Sequence, residues 1–502
     1  MTTLTLQMLQ NAPQGIFNVN TDYYIAVNSL SVPANITFYF SSGGSISGHT
    51  IVFNNTYIVG NPSHAIISKS EGTIVNSTVY MSWFGNVNDV SISFANQTIF
   101  YNEDATINTS VIIPGNNITY DGMGNTFTCN AIFFINQGKS NIVIRNFHAN
   151  SNSNMTNLEF YKMPTIDNVN IVKIKVYNNV INGFKIGISL NNDSENGTVR
   201  DSIVYNNDVR NCPGSTSGSG YGIHMANARN CIISGNYVEN CGRHAIYHAY
   251  GENNIIINNE IRYHCKDYTT YSLWAAVEIG RKSKNVVVKG NSFYQCNNIC
   301  LLVYSPQYIQ DGDEGLAHLF RYGICDGIVI EGNTFNNGNL TGPLGDLPYI
   351  YIGYEGANYP SLLQSGTYVA DVTIIKNTFT KVTAENVECI QVNQCQRLTI
   401  ADNVFQFGLP YNPQQNIYKV IDIPVPFITD NETVMTIVHN TFTYAGPGTG
   451  NIDLIGPNLS GITYPNYVIK WFDNTLNNQT IGGVTKYQLY SGTPGSGFMN
   501  YD

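Results

Sequence analysis

Seven residues on short strand-like segments carry the side chains suited to proton transfer and to holding a carboxylate. Aligning GYGIHMA, HAIYHA, WAAVEIG and VECIQVN by their apolar residues (Ile223 and Met225, Ile246, Val277 and Ile279, Ile390 and Val392) places His224, Tyr247, Glu278 and Gln391 in one outward column. Neighbouring parallel strands lie about 4.8 Å apart, so the first three fall within reach of one ligand, with Gln391 three strands further on. Gly242-Arg243-His244-Ala245 adds a guanidinium and a second imidazole where its strand begins. A base that titrates near neutrality, with an arginine for a carboxylate, suits β-elimination or epimerisation of an acidic sugar. His224, Arg243, His244 and Glu278 are therefore assigned catalytic roles, and Tyr247, Arg281 and Gln391 substrate contacts.

Competing readings attach to the same residues. Glycoside hydrolysis needs two carboxyl groups at a defined separation, and this column offers one. His244 shares strand parity with Ile246, which also fits a half-buried corner residue, and an aromatic and amide face can hold sugar without turning it over. His244 and His248 would lie roughly 13 Å apart on a strand, too far to share a zinc ion. Asp311, Asp313 and Glu314 form the one acidic cluster on a long insertion, an oxygen-rich loop for Ca²⁺ or simply a solvated one. No other cofactor is expected.

These segments belong to a repeat. A β-branched run, one or two polar residues and then Asn-x-(Phe/Val/Ile/Leu) recurs at Asn207, Asn236, Asn259, Asn291, Asn333, Asn377, Asn403, Asn440 and Asn474, at intervals of 23 to 44 residues. Short strands that bury one face, an Asn taking the left-handed corner and a loop of variable length describe a parallel β-solenoid. Cys212, Cys241 and Cys296 fall five residues after their repeat Asn, and Cys265 six, as a stack of small buried side chains would. Composition agrees. The 502 residues include 34 Tyr, 23 Phe and 68 Asn, but only 12% are charged, against about a quarter in ordinary domains. Net charge is −10 and there is no basic cluster, which argues against nucleic acid as a partner. No apolar run reaches the length of a membrane span, and Met1 to Gly15 lacks the basic start and apolar core of a secretory signal.

The repeat resembles the right-handed parallel β-helix of the pectate-lyase superfamily over about residues 105 to 480. The opening, SLSVPANITFYFSSGGSISG (Ser29 to Gly48) followed by TVYMSWFGNVND (Thr78 to Asp89), is similar to that of many bacteriophage tailspike proteins. Ser82-Trp83-Phe84-Gly85 and Asp89 match their phrase, but Val90-Ser91-Ile92 replaces the usual Gly and acidic helix. Asn240 to Ala245 resembles the short His/Arg turn of alginate epimerase-like β-helices, with Ala245 where they have Gly.

Together these imply an all-β chain: a capping or attachment region over 1–100, a right-handed single-stranded parallel β-helix over 101–481 and a tail over 482–502. The expected function is a virion-surface, tailspike-like protein, extracellular or on the particle, homotrimeric and in contact with other virion proteins, that binds or degrades a host cell-surface polysaccharide. A free lyase or epimerase on uronate-containing glycans, and a structural appendage without activity, are the alternatives.

Overall fold

The computed structural model describes residues 1–41, 43–60, 63–152, 157–192, 194, 197–214, 218–264, 275–296, 298–305, 324–336, 348–353, 369–381, 388–393, 395–407, 418–423, 433–444, 451–457, 467–477, 486–488 and 499–500. Asp311, Asp313, Glu314 and Cys265 lie outside them, and so does most of the 482–502 tail. The chain divides into two compact units. The first comprises Met1–Pro164, Asn170–Phe184 and Ser202–Asp208, and the second Thr165–Val169, Lys185–Asp201 and Val209–Asp502.

The first unit opens with parallel strands lying side by side in the order Thr2–Thr3, Asp22–Ser31, Ser45–Gly60, Thr37–Phe40 and Ile16–Val19. A single helical turn and a half, Leu6–Gln10, is capped by Thr5, whose Oγ1 accepts from Met8 N at 3.3 Å, and buries Leu9. Beyond them, strands such as Ile118–Asp121 and Ile142–Arg145, Thr126–Cys129 and His148–Ser151, and Phe134–Ile135 and Glu159–Lys162 stack in three separate parallel sheets. The aromatic core here is dense, with Phe133 and Phe134 stacked at 4.3 Å and Phe147 packed edge-on against both.

In the second unit each coil again contributes one strand to each of three parallel sheets. Connections between parallel strands of one sheet wind right-handed almost without exception, and the chain is a right-handed parallel β-helix. The third sheet carries the residues of interest on β1 (Ile186–Asn191), β2 (Tyr221–Ala226), β3 (His244–Ala249), β4 (Ala275–Gly280), β5 (Ile299–Tyr304), β6 (Ile350–Gly353) and β7 (Ile390–Val392), paired in that order.

The repeat asparagines do not turn the corner as expected. The left-handed residue is the one before each of them: Asn206, Gly235, Asn258, Gly290, Gly332, Lys376, Asp402, His439 and Asp473, at φ of 51° to 64°. That inward twist points the repeat Asn into the core, where it is buried. Asn333 shows the pattern. Its Nδ2 donates to Val288 O of the coil before (2.9 Å) and to Asn377 Oδ1 of the coil after (3.0 Å), while its Oδ1 accepts from Asn291 N (2.8 Å) and Asn291 Nδ2 (3.0 Å). The same contacts run unbroken from Asn236 to Asn474. Two residues further along, Phe293, Phe335, Phe379, Phe405 and Phe442 stack face to face at 4.8 to 4.9 Å, the strand spacing itself. Cys212, Cys241 and Cys296 are buried, as their place in the repeat requires.

Removing one rung strands several polar groups at once, each costing about 1–3 kcal/mol when buried without a partner. Asn333→Ala is expected to lower the unfolding free energy by roughly 3–6 kcal/mol, read from the urea midpoint. A loss below about 1 kcal/mol, the scale of an ordinary exposed hydrogen bond, would mean that the ladder is not what holds the coils in register.

Candidate functional site

Alternation along the third sheet sends Ile223, Ile246, Val277, Leu301, Ile350 and Ile390 inward. The intervening outward positions pair as Ser189, His224, Tyr247, Glu278, Leu302, Tyr351 and Gln391, one per strand from β1 to β7. The four residues aligned from sequence therefore share one column, with Gln391 three strands beyond Glu278. Leu302 and Tyr351, which fill that gap, were missed, although continuing the alignment through ICLLVY and PYIYIGY would have found them.

The column is not an open polar ladder. Tyr247 is 8% exposed, Glu278 3%, Leu302 3% and Tyr351 1%, whereas His224, Arg243, Arg281 and Gln391 are half-buried. The site thus has a buried floor and a solvent-reachable rim. Tyr247 centres the floor. Its ring lies parallel to Tyr221 at 5.3 Å, with the His224 imidazole edge-on at 5.2 Å and that of His244 tilted at 5.4 Å. Tyr221, also missed, enters because β2 and β3 pair it with His244, and its hydroxyl accepts from Arg243 Nη1 at 2.9 Å. Gly280 is needed for close approach, since a Cβ there would sit 2.5 Å from the Tyr304 ring.

His244 is fully buried rather than a half-buried corner. Its Nδ1–H donates to Ala275 O at 2.7 Å, and its Nε2 lies 3.1 Å from Glu278 Oε2, too far off line for an aligned hydrogen bond. The bond at Nδ1 leaves the Nε2 edge of the ring facing that carboxylate. Burial, and then the neighbouring Arg243 charge, hold the imidazole well below its ordinary value, while the carboxylate at 3.1 Å opposes them.

On the rim, burial and the Arg281 guanidinium push His224 down to about 4, so it is neutral at pH 7. Burial raises the Tyr247 phenol, and the Glu278 charge adds to this, so it stays protonated. Arg281 occupies a left-handed backbone position (φ 52°) and bonds the Tyr304 side chain, with Tyr247 and Tyr250 close by. Among the described residues no carboxylate lies within ion-pair distance of it. The site can therefore hold an anion at Arg281, with a neutral imidazole and a phenol beside it.

No protein-family model matches the chain, and no curated protein does. Among solved structures it is similar to the enzymatically active domain of bacteriophage CBA120 tailspike protein 2 (13% identity, 65% of this chain and 48% of that one, TM-score 0.43). It is also similar to the A-module of the Azotobacter vinelandii mannuronan C-5 epimerase AlgE6 (12%, 94% and 93%, 0.37) and to the Streptococcus pneumoniae surface protein and adhesin PfbA (12%, 76% and 90%, 0.33). The chain spans about half the length of the tailspike domain. The class, a right-handed parallel β-helix, rests on the strand pairing itself.

Inside the coil, His248 makes a pH-dependent contribution. Its Nε2 accepts from Asn254 Nδ2 at 2.9 Å and its Nδ1 faces Ser283 Oγ at 3.2 Å, and burial pushes it down to about 4. A proton at Nε2 would break the first bond. The unfolded chain takes up that proton near pH 6.5 and the folded one only near 4, so stability is complete above 6.5 and falls as pH drops towards 4. His248 alone is expected to contribute about 3 kcal/mol to this loss, measured by urea unfolding across that range. A flat profile, or a His248 ring resonance titrating above pH 6, would contradict it.

Proposed function

We propose that the protein binds an acidic cell-surface polysaccharide along the outer face of the third sheet, with a uronate carboxylate on Arg281, and that His224 and Tyr247 carry out proton transfer on the bound sugar. The observation that carries this reading is a guanidinium that meets no carboxylate among the described residues. A partly buried cation without a carboxylate partner is costly unless an anion joins it, and His224 and Tyr247 beside it are uncharged at neutral pH. Arg281 would neutralise the carboxylate and make the C5 proton removable. Neutral His224 takes that proton, the electron pair forms the C4–C5 double bond, and the C4–O bond breaks as the leaving oxygen receives a proton from Tyr247. Returning a proton to the opposite face of C5 instead would give epimerisation. His244 and Glu278, both buried, hold Tyr247 in place from beneath.

Glycoside hydrolysis has less support. Asp422 pairs with Gln391 in the next coil, which places it four strands, roughly 19 Å, from Glu278, whereas paired glycosidase carboxyls lie about 5–9.5 Å apart. For the setting, we infer a virion surface or another extracellular surface, with assembly as a homotrimer beside other virion proteins. The support is the tailspike-like opening phrase and a surface poor in charge.

Binding of oligogalacturonate or oligomannuronate, followed by calorimetry, is expected to weaken about 10- to 100-fold in Arg281→Ala, the scale of a charge-assisted contact. His224→Ala should keep binding and abolish the absorbance rise of unsaturated uronate. A bound carboxylate favours the His224 cation, so affinity should increase as pH falls from 7 to 5 in the native protein and not in His224→Ala. Unchanged affinity in Arg281→Ala would refute the assignment.

A further inference from the structure

Two clefts open in the N-terminal unit on either side of Asn88. The smaller, about 330 Å³, is lined by His64, Ser82, Asn86, Glu103, Asp104 and Asn108, among others. The larger, about 480 Å³, is walled by Lys69, Ile92, Phe94, Ile112, Pro114 and Tyr120, among others. Met81, Val87, Asn88 and Tyr101 line both. Met81, Val87 and Asn88 belong to the Met81 to Asp89 stretch, wound into the short turns Met81–Trp83 and Val87–Asp89 and anchored by buried Trp83 and Phe84. Asn88 ties it to the facing chain, its Nδ2 donating to Thr106 O at 2.8 Å and its Oδ1 accepting from Asn108 N at 2.8 Å.

The one lysine here is already paired. His64 Nε2 lies 3.0 Å from Glu103, Lys69 Nζ lies 2.6 Å from Glu71, and Asp104 Oδ1 accepts from Thr126 N at 2.7 Å. An anion would find no spare cation. In the larger cleft the Tyr120 hydroxyl is buried and has no hydrogen-bond partner among the described residues. Buried phenols almost always have one. Burial holds that phenol well above its ordinary value, so it keeps its proton and has it to donate. Apolar walls of Ile92, Phe94 and Pro114 facing serine, threonine and amide groups match a sugar ring, which has an apolar face and a hydroxyl edge. Both volumes fall in the range of about 300–1,000 Å³ typical of small-ligand sites.

We propose that these clefts are a second binding site, for an uncharged saccharide, with one sugar residue on each side of Asn88 and the Tyr120 hydroxyl donating to an oxygen of the one in the larger cleft. It does not depend on the Arg281 face. Saturation-transfer NMR with cellobiose, maltose, lactose and diacetylchitobiose, and with digalacturonate for comparison, tests it on the full chain. At least one neutral disaccharide should bind. Its affinity should fall about tenfold in Tyr120→Phe, the loss of one hydrogen bond, and disappear in Ile112→Trp, which blocks the cleft from its exposed edge. Both variants should fold, since one deletes a hydroxyl without a protein partner and the other enlarges a residue that is 54% exposed. Arg281→Ala should leave this binding unchanged. Failure of all four neutral disaccharides to bind, binding that survives both variants, or binding lost in Arg281→Ala would overturn the proposal.

Discussion

The architecture depends on a primary amide stacked on its own copies. A buried side-chain amide has two donors and an oxygen with two lone pairs, and at Asn333 all four are filled by the coils directly before and after it. Only Asn has the length and the donor–acceptor pair to do this: Asp lacks the donor, and Gln would not keep the strand spacing. The ladder fixes each coil against the next to within one residue. A slip by one would reverse every side chain of a strand between core and surface, so the outward column on the third sheet is inherited from it. The loops that leave the other corners are free of that constraint, which is why the repeat tolerates intervals from 23 to 44 residues.

On that scaffold the site is organised by depth. Tyr221, His244, Tyr247 and Glu278 form a packed floor whose rings and carboxyl have little freedom, while His224, Arg243, Arg281 and Gln391 reach the surface above it. Low dielectric around the floor holds His224 neutral and Tyr247 protonated at pH 7. The fixed positive charge that remains on the rim is that of arginine, which cannot release its proton. Recognition of an acidic group and neutral proton-transfer groups are therefore set by the same burial. The N-terminal clefts follow the opposite logic, with their lysine already paired and a phenol that has no hydrogen-bond partner among the described residues.

Much of this was legible in the sequence, because the signals are local. The Asn phrase marked each coil, and period-two alternation gave the direction of His224, Tyr247, Glu278 and Gln391 and hence their shared column. The errors came from non-local features. A strand's own pattern does not reveal what covers its outer face, so Tyr247 and Glu278 read as surface groups. The corner was placed one residue late because Asn is a common left-handed residue, whereas here Lys376, Asp402, His439 and Asp473 take that strain so that the next Asn can point inward. Tyr221 and Tyr351 carry no signal of their own in the sequence, since their role depends on which residue the neighbouring coil sets beside them.

The central claim, that the outer face of the third sheet takes an acidic glycan through Arg281, is tested most directly by a crystal structure of the protein soaked with an oligouronate. The account predicts a carboxylate paired with the Arg281 guanidinium and the sugar ring lying over His224 and Tyr247. An oligomer bound along another sheet, or with its carboxylates turned away from Arg281, would contradict it.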